Sequence, residues 1–304
     1  MLKCFPIVIS ILLILVQLLL GLFPQSLRAF LWMFSQVYMP LLAIIILIGC
    51  LIYMLRRKRW RSKLSWITIT IGVFAGALPF LMLFSGATYP AKIENTNPHL
   101  SIRVPLDGLV NVAWGGDKTS VNYHAAHPDQ RWAYDLVIEP YMSGSENLYD
   151  YGCYGKPVLA PISGEVVSSR DDLPDETPNV TINEVFTGGN TVLIRPEGQA
   201  GTLVIAHLKP KSLTVKTGDH VTEGEIIGQC GNSGNTSEPH VHIHYAKLLL
   251  GVEEDWLAYG LPLFFRDHQG PEMPEGGIIE TDGEVLLTGD IIQHSGKKTK
   301  ELVD

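Results

Sequence analysis

Residues 230–245 read CGNSGNTSEPHVHIHY, a turn cluster followed by a strand that carries three histidines. His240, His242 and His244 are spaced by two, and side chains of a β-strand alternate between its faces, so their imidazoles point to one side. The intervening valine and isoleucine point to the other side, towards a core. Three adjacent imidazolium ions would repel one another, so such a row is favoured when at least one histidine binds a metal or acts as a base. A polar strand face with solvated histidines is the alternative interpretation.

The composition divides the chain near residue 90. Residues 1–90 hold eight of the 23 Lys and Arg residues and none of the 31 Asp and Glu residues, which leaves residues 91–304 with 15 basic and 31 acidic side chains. Nucleic acids bind basic surfaces, so a domain this acidic is a poor match for them and no nucleic-acid partner is expected. Any anionic polymer would have to be held by specific contacts rather than by broad charge attraction.

Three apolar stretches, at about 5–23, 37–55 and 65–85, precede this domain, and no charged residue interrupts them. Each is close to the roughly 20 residues that a helix needs to span a bilayer. No small-residue cleavage site follows the first stretch, which disfavours a signal peptide. The sequence therefore predicts a membrane region over residues 1–88 with three transmembrane helices.

The loop at 56–63 carries six Lys and Arg residues, and such loops remain in the cytoplasm. The second span then runs inward and the third runs outward, with the 24–36 loop outside. We therefore expect a multi-pass protein of the cytoplasmic membrane whose C-terminal domain faces the extracytoplasmic side.

After a linker at 89–104, short apolar runs rich in β-forming residues alternate with Gly, Pro, Asn and Asp. This pattern predicts an all-β domain over 105–268, an antiparallel sheet or rolled sandwich, followed by a C-terminal extension at 269–304. The strand-like runs are 156–161, 164–168, 190–195, 202–207, 225–228, 240–246, 277–280 and 284–287.

Further candidate groups lie in this soluble part. Asp135 opens an apolar strand, His124 and His127 precede it, and His207 ends the strand at 203–206. Each of these residue types can hold a metal or move a proton. Two cysteines, Cys153 and Cys230, also lie here and could pair if the domain is exported, because disulfides persist in oxidising compartments.

Several segments, in this order, resemble the lysostaphin-type (LytM-like) zinc metalloendopeptidases, which hydrolyse peptide bonds of bacterial peptidoglycan. The segments are 156–167, 189–194, 206–208 and 233–242, and the resemblance spans roughly 103–250. It implies the lysostaphin-type peptidase fold, Zn²⁺ as cofactor and a peptidoglycan peptide as substrate. The predicted function is therefore that of a membrane-anchored zinc endopeptidase acting outside the bacterial cytoplasmic membrane.

The resemblance also implies roles for single residues. Asp135 and His242 would be metal ligands. His207 and His240 would be the catalytic histidines, which orient or deprotonate the attacking water and stabilise the oxyanion. Catalytic zinc takes three protein ligands and keeps a fourth position open. The metal lowers the pKa of water to about 7 and polarises the scissile carbonyl.

One ligand of the family pattern is missing. The family has a histidine four residues before the aspartate, and this chain has Arg131 there. His124 is the favoured replacement, because residues 122–124 together with 130–135 resemble a recurring variant of the family. His127 is the next candidate. A weak metal site, or a non-catalytic module that binds cell wall or activates another hydrolase, would also account for the substitution.

Four other side chains are expected to play supporting roles or to lie in solvent. Arg131 could hold Asp135 or a substrate carboxylate, since a guanidinium pairs well with carboxylates. His244 occupies a family position that is not a ligand, and it is expected to support a ligand or to lie at the surface. His220 and His268 are expected to be solvated.

Overall fold

The chain divides into two compact units, Met1–Ala91 and Lys92–Asp304. The structure, a computed structural model, describes residues 5–58, 60–84, 89, 91–248, 258–281 and 284–296. The last residues of the predicted C-terminal extension, 297–304, lie outside the described residues.

The first unit consists of α-helices. They are α1 (Phe5–Leu18), α2 (Gln25–Arg56) and α3 (Lys63–Phe84). Within α2, the 19 residues Tyr38–Arg56 are long and apolar enough to cross a membrane. The apolar segments in the other two helices, Pro6–Leu18 and Lys63–Leu78, are shorter than a span. Three transmembrane helices therefore remain a prediction, and the described part of the chain offers one candidate.

The prediction of a loop at 24–36 is wrong for residues 25–36, which form the first turns of α2, whereas the side of the membrane on which they lie stays a prediction. Pro24 occupies the position before the helix, and the residues that follow include Leu, Ala, Met and Gln, which favour helix. With 32 residues at 1.5 Å each, α2 is about 48 Å long, more than the roughly 30 Å of a bilayer core.

The second unit is built from strands, which confirms the prediction of a sheet-rich domain. The described strands are β1 (Leu100–Ile102), β2 (Val110–Trp114), β3 (Tyr134–Val137), β4 (Pro157–Leu159), β5 (Gly164–Arg170), β6 (Asn190–Pro196), β7 (Thr202–Leu208), β8 (His220–Val221), β9 (Ile226–Gln229), β10 (Val241–Lys247), β11 (Tyr259–Leu261), β12 (Leu263–Phe265), β13 (His268–Gln269), β14 (Ile278–Thr281), β15 (Glu284–Leu287) and β16 (Ile291–His294).

The main sheet has the order β13-β16-β2-β3-β10-β7-β6-β5-β8, and β11 also pairs with β10. Its pairings are antiparallel. Strand β10 lies between β3 and β7, near the middle, so its backbone is hydrogen-bonded on both edges. Small two-stranded sheets, β4-β9, β14-β15 and the parallel pair β1-β12, complete the unit.

Strands β1, β14, β15 and β16 lie outside the predicted β domain of 105–268, and β1 and β16 were not among the predicted strand-like runs. Strand β1 falls in the predicted linker and pairs with β12, while β16 falls in the predicted extension and pairs with β2. Leu100 and Ile102 are buried on either side of the exposed Ser101, and Ile292 is fully buried. Each strand has only three or four residues, too few for a period of two to be recognised in sequence.

The core lies against one face of β10. Val241, Ile243 and Tyr245 are fully or almost fully buried there, as the alternation of the histidine strand predicts. Close by, Cys153 and Cys230 form a disulfide with their Cα atoms 5.8 Å apart. This bond anchors the start of the turn cluster 230–239 to the loop before β4.

Candidate metal centre

The centre is assembled by the register of three adjacent strands. On β10, His242 lies directly opposite Asp135 of β3 on one side and Ala206 of β7 on the other. Directly opposite residues in an antiparallel pair bring their side chains together on one face. The Nδ1 atom of His242 is accordingly 2.8 Å from the Oδ1 atom of Asp135, and both side chains are buried.

His124 reaches the same carboxylate from a short 3-10 turn, Tyr123–Ala126. Its Nε2 atom is 3.6 Å from the Oδ2 atom of Asp135, and the side chain is 1% exposed. The turn begins at Asn122, whose Oδ1 atom accepts a hydrogen bond from the backbone N–H of His124. Asn is among the residues that most often fill this capping role.

Asn122 also fixes the imidazole of His124. Its Oδ1 atom lies 3.0 Å from Nδ1 of His124, so Nδ1 carries the proton. The lone pair of Nε2 is then on the side of the ring that faces Asp135, where it is available to a metal. The amide nitrogen of Asn122 donates to the carbonyl oxygens of Gly116 and Ala133. All the hydrogen-bonding groups of this fully buried amide are used, so it holds the imidazole in one orientation.

These three side chains fit a zinc ion. The ligand atoms offered by His124, Asp135 and His242 all lie within 4.8 Å of one another. Ligands about 2.0–2.1 Å from a tetrahedral zinc lie roughly 3.3 Å apart, so a small adjustment would close the set. Two imidazoles and one carboxylate, with a fourth position free, form the donor set that catalytic zinc uses.

The electrostatics of the cluster favour metal-binding protonation states. Burial lowers the pKa of His124 to about 3, against the opposing effect of Asp135, so its imidazole is neutral at physiological pH. Burial alone would raise the pKa of Asp135, but the nearby imidazole groups of His124 and His240, together with hydrogen bonds from His240 and His242, hold that pKa well below its usual range. A neutral imidazole and an ionised carboxylate are the forms that bind a metal.

His207 joins the site through an irregular backbone. Its φ is 60°, in the left-handed region, at the end of β7. In a regular strand, His207 would face away from the site, because its neighbour Ala206 lies opposite His242. The turned backbone instead places its ring 4.6 Å from that of His240 and 5.8 Å from that of His242. Left-handed residues other than glycine are costly and cluster at functional sites.

His207 and His240 are oriented in the same way by backbone carbonyl groups. Nδ1 of His207 is 2.8 Å from the carbonyl oxygen of Ser233, and Nδ1 of His240 is 2.8 Å from that of Glu238. A carbonyl oxygen only accepts, so each Nδ1 carries a proton. Burial holds the pKa of His207 well below its usual range, so that ring is neutral and keeps a lone pair on Nε2. For His240 burial is outweighed by the charge of Asp135 and by hydrogen bonds, which raise its pKa. Nε2 of His240 lies 3.6 Å from Oδ1 of Asp135.

The approach of His207 to the turn cluster requires a glycine. Gly189 has a φ of +64°, and a Cβ atom there would overlap the carbonyl group of Ser233. The hydroxyl of Ser233 accepts from the backbone N–H of Asn190 and donates to the carbonyl oxygen of Leu208. The carbonyl that orients His207 is therefore itself held in place.

His244 lies behind the metal-binding cluster rather than at the surface. It is 3% exposed, and its Nδ1 atom is 2.9 Å from Nε2 of His242. With a metal on Nδ1 of His242, Nε2 carries the proton and donates it to His244. Such outer partners fix the tautomer and orientation of metal-binding histidines. Of the two expected locations, the structure places His244 in the supporting one.

Tyr123 was missed by the sequence reasoning. Its hydroxyl is 3.5 Å from Oδ2 of Asp135, and its ring lies against His124 with centroids 3.9 Å apart. Trp114 contacts it edge-on at 5.3 Å. Burial and the charge of Asp135 raise its pKa, so the phenol keeps its proton and is a hydrogen-bond donor. The feature of the sequence that could have indicated a role for Tyr123 is its position directly before His124.

The structure does not bear out the expectation for Arg131. Its guanidinium forms an ion pair with Asp117 at 2.9 Å and donates to the backbone carbonyl of Asp117, rather than binding Asp135. The indole N–H of Trp132 donates to the side-chain carboxylate of Asp117 as well. Arg131 is 3% exposed, so it is also poorly placed to meet a substrate carboxylate. Instead it anchors the segment that leads into β3.

The remaining histidines lie apart from the cluster. His127, the second candidate for the third ligand, is exposed and is not part of the group of ligand atoms around Asp135. His220 is exposed and pairs with Glu197. His268 lies in β13, with Nε2 near the carbonyl oxygen of Pro271. The structure therefore brings together five of the sequence-predicted residues: His124, Asp135, His207, His240 and His242.

Residues 147–252 match the model of Peptidase family M23. The matched segment includes His207, His240 and His242, but it begins after His124 and Asp135. The family match therefore covers the segment that carries His240, His242 and His244. His124 and Asp135 lie outside the match, and it is the geometry that places them at the site.

The peptidoglycan DD-endopeptidase ShyC of Vibrio cholerae is similar to this chain. The two are 28% identical over 108 residues, which cover 36% of this chain and 23% of ShyC. The chain thus spans less than a quarter of the length of the curated relative that it matches.

Among solved structures, the peptidase lysostaphin from Staphylococcus simulans is similar to this chain. The two are 19% identical, the match covers 49% of this chain and 46% of that chain, and the TM-score is 0.31. Another is a zinc-containing peptidase from Vibrio cholerae, with 18% identity, 54% and 41% covered, and a TM-score of 0.32. Peptidases of family M23 are zinc-dependent, and the cluster of His124, Asp135 and His242 fits that ion. Residues 147–252 are thus similar in sequence to Peptidase family M23, and the donor set assembled beside them fits the zinc ion of that family.

Proposed function

We propose that this protein is a zinc-dependent endopeptidase that hydrolyses peptide bonds of bacterial peptidoglycan outside the cytoplasmic membrane. The observation that carries the proposal is the convergence of three metal-binding side chains and two further imidazoles on one face of β3, β10 and β7. A module that only bound cell wall would not need two backbone-oriented histidines beside a metal-binding cluster.

In this mechanism His124, Asp135 and His242 hold the zinc ion. When bound, zinc polarises the scissile carbonyl and lowers the pKa of water to about 7. His207 keeps a lone pair on Nε2, so it can take a proton from the attacking water and return it to the leaving nitrogen. His240, whose pKa is raised beside Asp135, can stabilise negative charge on the substrate oxygen. The hydroxyl of Tyr123, which lies 3.5 Å from Oδ2 of Asp135, can instead donate a hydrogen bond to the substrate oxygen and so stabilise negative charge there.

The proposed location is supported by two features in different parts of the chain. The disulfide Cys153–Cys230 suits an oxidising compartment outside the cytoplasm. The apolar helix Tyr38–Arg56 ends at the cluster of basic residues 56–63, which favours the cytoplasmic side. Protease treatment of intact spheroplasts tests this location: the C-terminal domain should be digested, and its protection would contradict the proposed topology.

The activity is tested with the full-length protein in detergent, loaded with zinc and incubated with purified peptidoglycan. Mass spectrometry of the released fragments should show new peptide amino termini. His207→Ala should reduce their rate of release by about 10²–10⁴-fold, the usual contribution of a general acid or base. His268→Ala, which changes a histidine outside the cluster, is the matched control.

Two outcomes would contradict the proposal. One is an undiminished release rate in His207→Ala, since that residue would then have no part in the reaction. The other is the absence of any released peptide from a preparation that holds one zinc ion per chain, which would favour a binding module instead.

A further inference from the structure

A groove of about 520 Å³ opens beside the metal-binding cluster. Asp135, His240 and Tyr123 form one part of its lining. The other parts come from the turn cluster, the loop after β3, the loop before β6 and strand β14. They contribute mostly small, apolar and uncharged polar side chains.

Glu238 is the one charged side chain among the described residues that line this groove outside the metal-binding and catalytic groups. Among the described residues that line it there is no Lys or Arg, whereas Glu238 contributes a carboxylate outside the metal-binding cluster. The domain that carries the groove is itself acidic, with 31 acidic and 15 basic residues from residue 91 onward.

Glu238 is held in the wall of the groove. Its Oε2 atom accepts a hydrogen bond of 2.7 Å from the backbone N–H of Met142. The residue is partly buried, and in the described part of the chain no Lys or Arg forms an ion pair with it. A carboxylate accepts several hydrogen bonds, so the group keeps capacity for a ligand.

A partly buried carboxylate without a basic partner among the described residues would be stabilised by a cationic group of a ligand. Burial raises the pKa of Glu238, which expresses the cost of removing its charge from water. A ligand ammonium would offset this cost with a charge-assisted hydrogen bond, which is stronger than a neutral one. Glu238 lies two residues before His240, so the ligand group would sit close to the reacting bond.

We propose that Glu238 determines specificity by binding an unsubstituted amino group of the substrate peptide, near the scissile bond. This inference rests on the proposed peptidase function and narrows its substrate class. The peptides that fit are those with a free side-chain or terminal amine beside the cleaved amide. Peptides whose amine is acylated, or that offer only carboxylates at this position, lose the interaction.

Glu238→Gln separates this role from a purely structural one. Glutamine keeps a side-chain oxygen that can accept from the N–H of Met142, but it lacks the charge that binds an ammonium group. Glu197→Gln is the matched control, because it removes one exposed carboxylate that pairs with His220 outside the groove. Both variants should keep the thermal stability of the unchanged protein.

The probe is a pair of synthetic cross-link peptides with the same sequence, one with a free side-chain amine and one acetylated there. For the unchanged, zinc-loaded full-length protein, we expect kcat/KM to favour the free amine by about tenfold, equivalent to about 1.4 kcal/mol. Glu238→Gln should reduce this preference to less than about twofold, and its rate on the acetylated peptide should stay close to that of the unchanged protein. Glu197→Gln should keep the full preference.

Binding of both peptides is measured in parallel from tryptophan fluorescence, since Trp114 lines the groove. If the free amine is preferred in binding while neither peptide is cleaved, the role of Glu238 stands and the proposed peptidase function fails. If both peptides are cleaved without preference, or if Glu238→Gln keeps the preference, the role of Glu238 is overturned and the peptidase function stands.

Discussion

The two sides of the metal centre are positioned by different means. Asp135 and His242 lie on neighbouring strands, where backbone hydrogen bonds along β3, β10 and β7 fix their register. His124 lies on a short turn, and the side chain of Asn122 fixes both its backbone and its ring. The position of a ligand on a strand therefore depends on many backbone hydrogen bonds, whereas the position of the ligand on the turn depends on a few hydrogen bonds to one side chain. A single substitution should disturb the turn side more than the strand side, unless it removes a ligand itself.

The largest expected effect comes from His242→Ala. Removing the central ligand of the strand side should abolish stoichiometric zinc binding and peptidase activity, while the domain remains folded, because the register of β10 is set by its backbone. Zinc content after dialysis and a circular dichroism spectrum would check this. His220→Ala, an exposed histidine outside the cluster, is the control. Retention of one tightly bound zinc in His242→Ala would mean that the strand does not supply the ligand.

Next in size is the removal of the turn ligand. His124→Ala should weaken zinc binding by more than about 100-fold, since even partners behind a ligand are worth 10–100-fold. His127→Ala provides a matched comparison, because this exposed histidine lies three residues further along. Its zinc affinity should be unchanged in competition with a chelating dye. The reverse order of effects would assign the third ligand to His127.

A smaller effect is expected from the residue that holds the turn. Asn122→Ala should weaken zinc binding by about 10–100-fold, because His124 loses the acceptor that orients its Nδ1 proton. Asn147→Ala is the natural control, since Asn147 caps another 3-10 turn, Leu148–Asp150, in the same manner. Equal zinc affinities for the two variants, measured by the same competition, would show that Asn122 does not determine the position of His124.

The smallest effect should come from the corresponding support on the strand side. His244→Phe fills similar space but removes the acceptor for Nε2 of His242, and we expect about a tenfold loss of zinc affinity. The loss should be smaller than for Asn122→Ala, because β10 keeps both its strand neighbours. A larger loss than for Asn122→Ala would show that side-chain contacts, rather than strand register, position His242.

Much of the centre could be predicted because strands have a simple period. Spacing by two placed His240, His242 and His244 on one face, and the resemblance of ordered motifs singled out Asp135 and His207. The choice of His124 over His127 also came from a local pattern, the segment 122–124. These predictions relied on neighbours in sequence, and the geometry brings the same side chains together around Asp135.

Other features could not be predicted, because they depend on contacts between distant segments. Arg131 was expected near Asp135, but the fold brings Asp117 to its guanidinium. Strand β16 extends the sheet beyond the predicted domain by pairing with β2, a strand about 180 residues earlier in the chain, and Ile292 of β16 is fully buried. In the N-terminal unit, the segment at 24–36 looked like a loop because the apolar run stops there, although helix does not require an apolar sequence.

The sequence by itself determined the sheet-rich domain, the histidine strand and the chemistry of its donor groups, because alternation and residue type are local properties. Only the tertiary structure decided which imidazoles share Asp135, how the left-handed backbone turns His207 towards them and that Glu238 faces a groove whose described lining contains no Lys or Arg. These depend on the register of strands that are more than 100 residues apart in the chain, as His242 and Asp135 are. Register is set by how the whole core packs, and no short stretch of sequence contains that information.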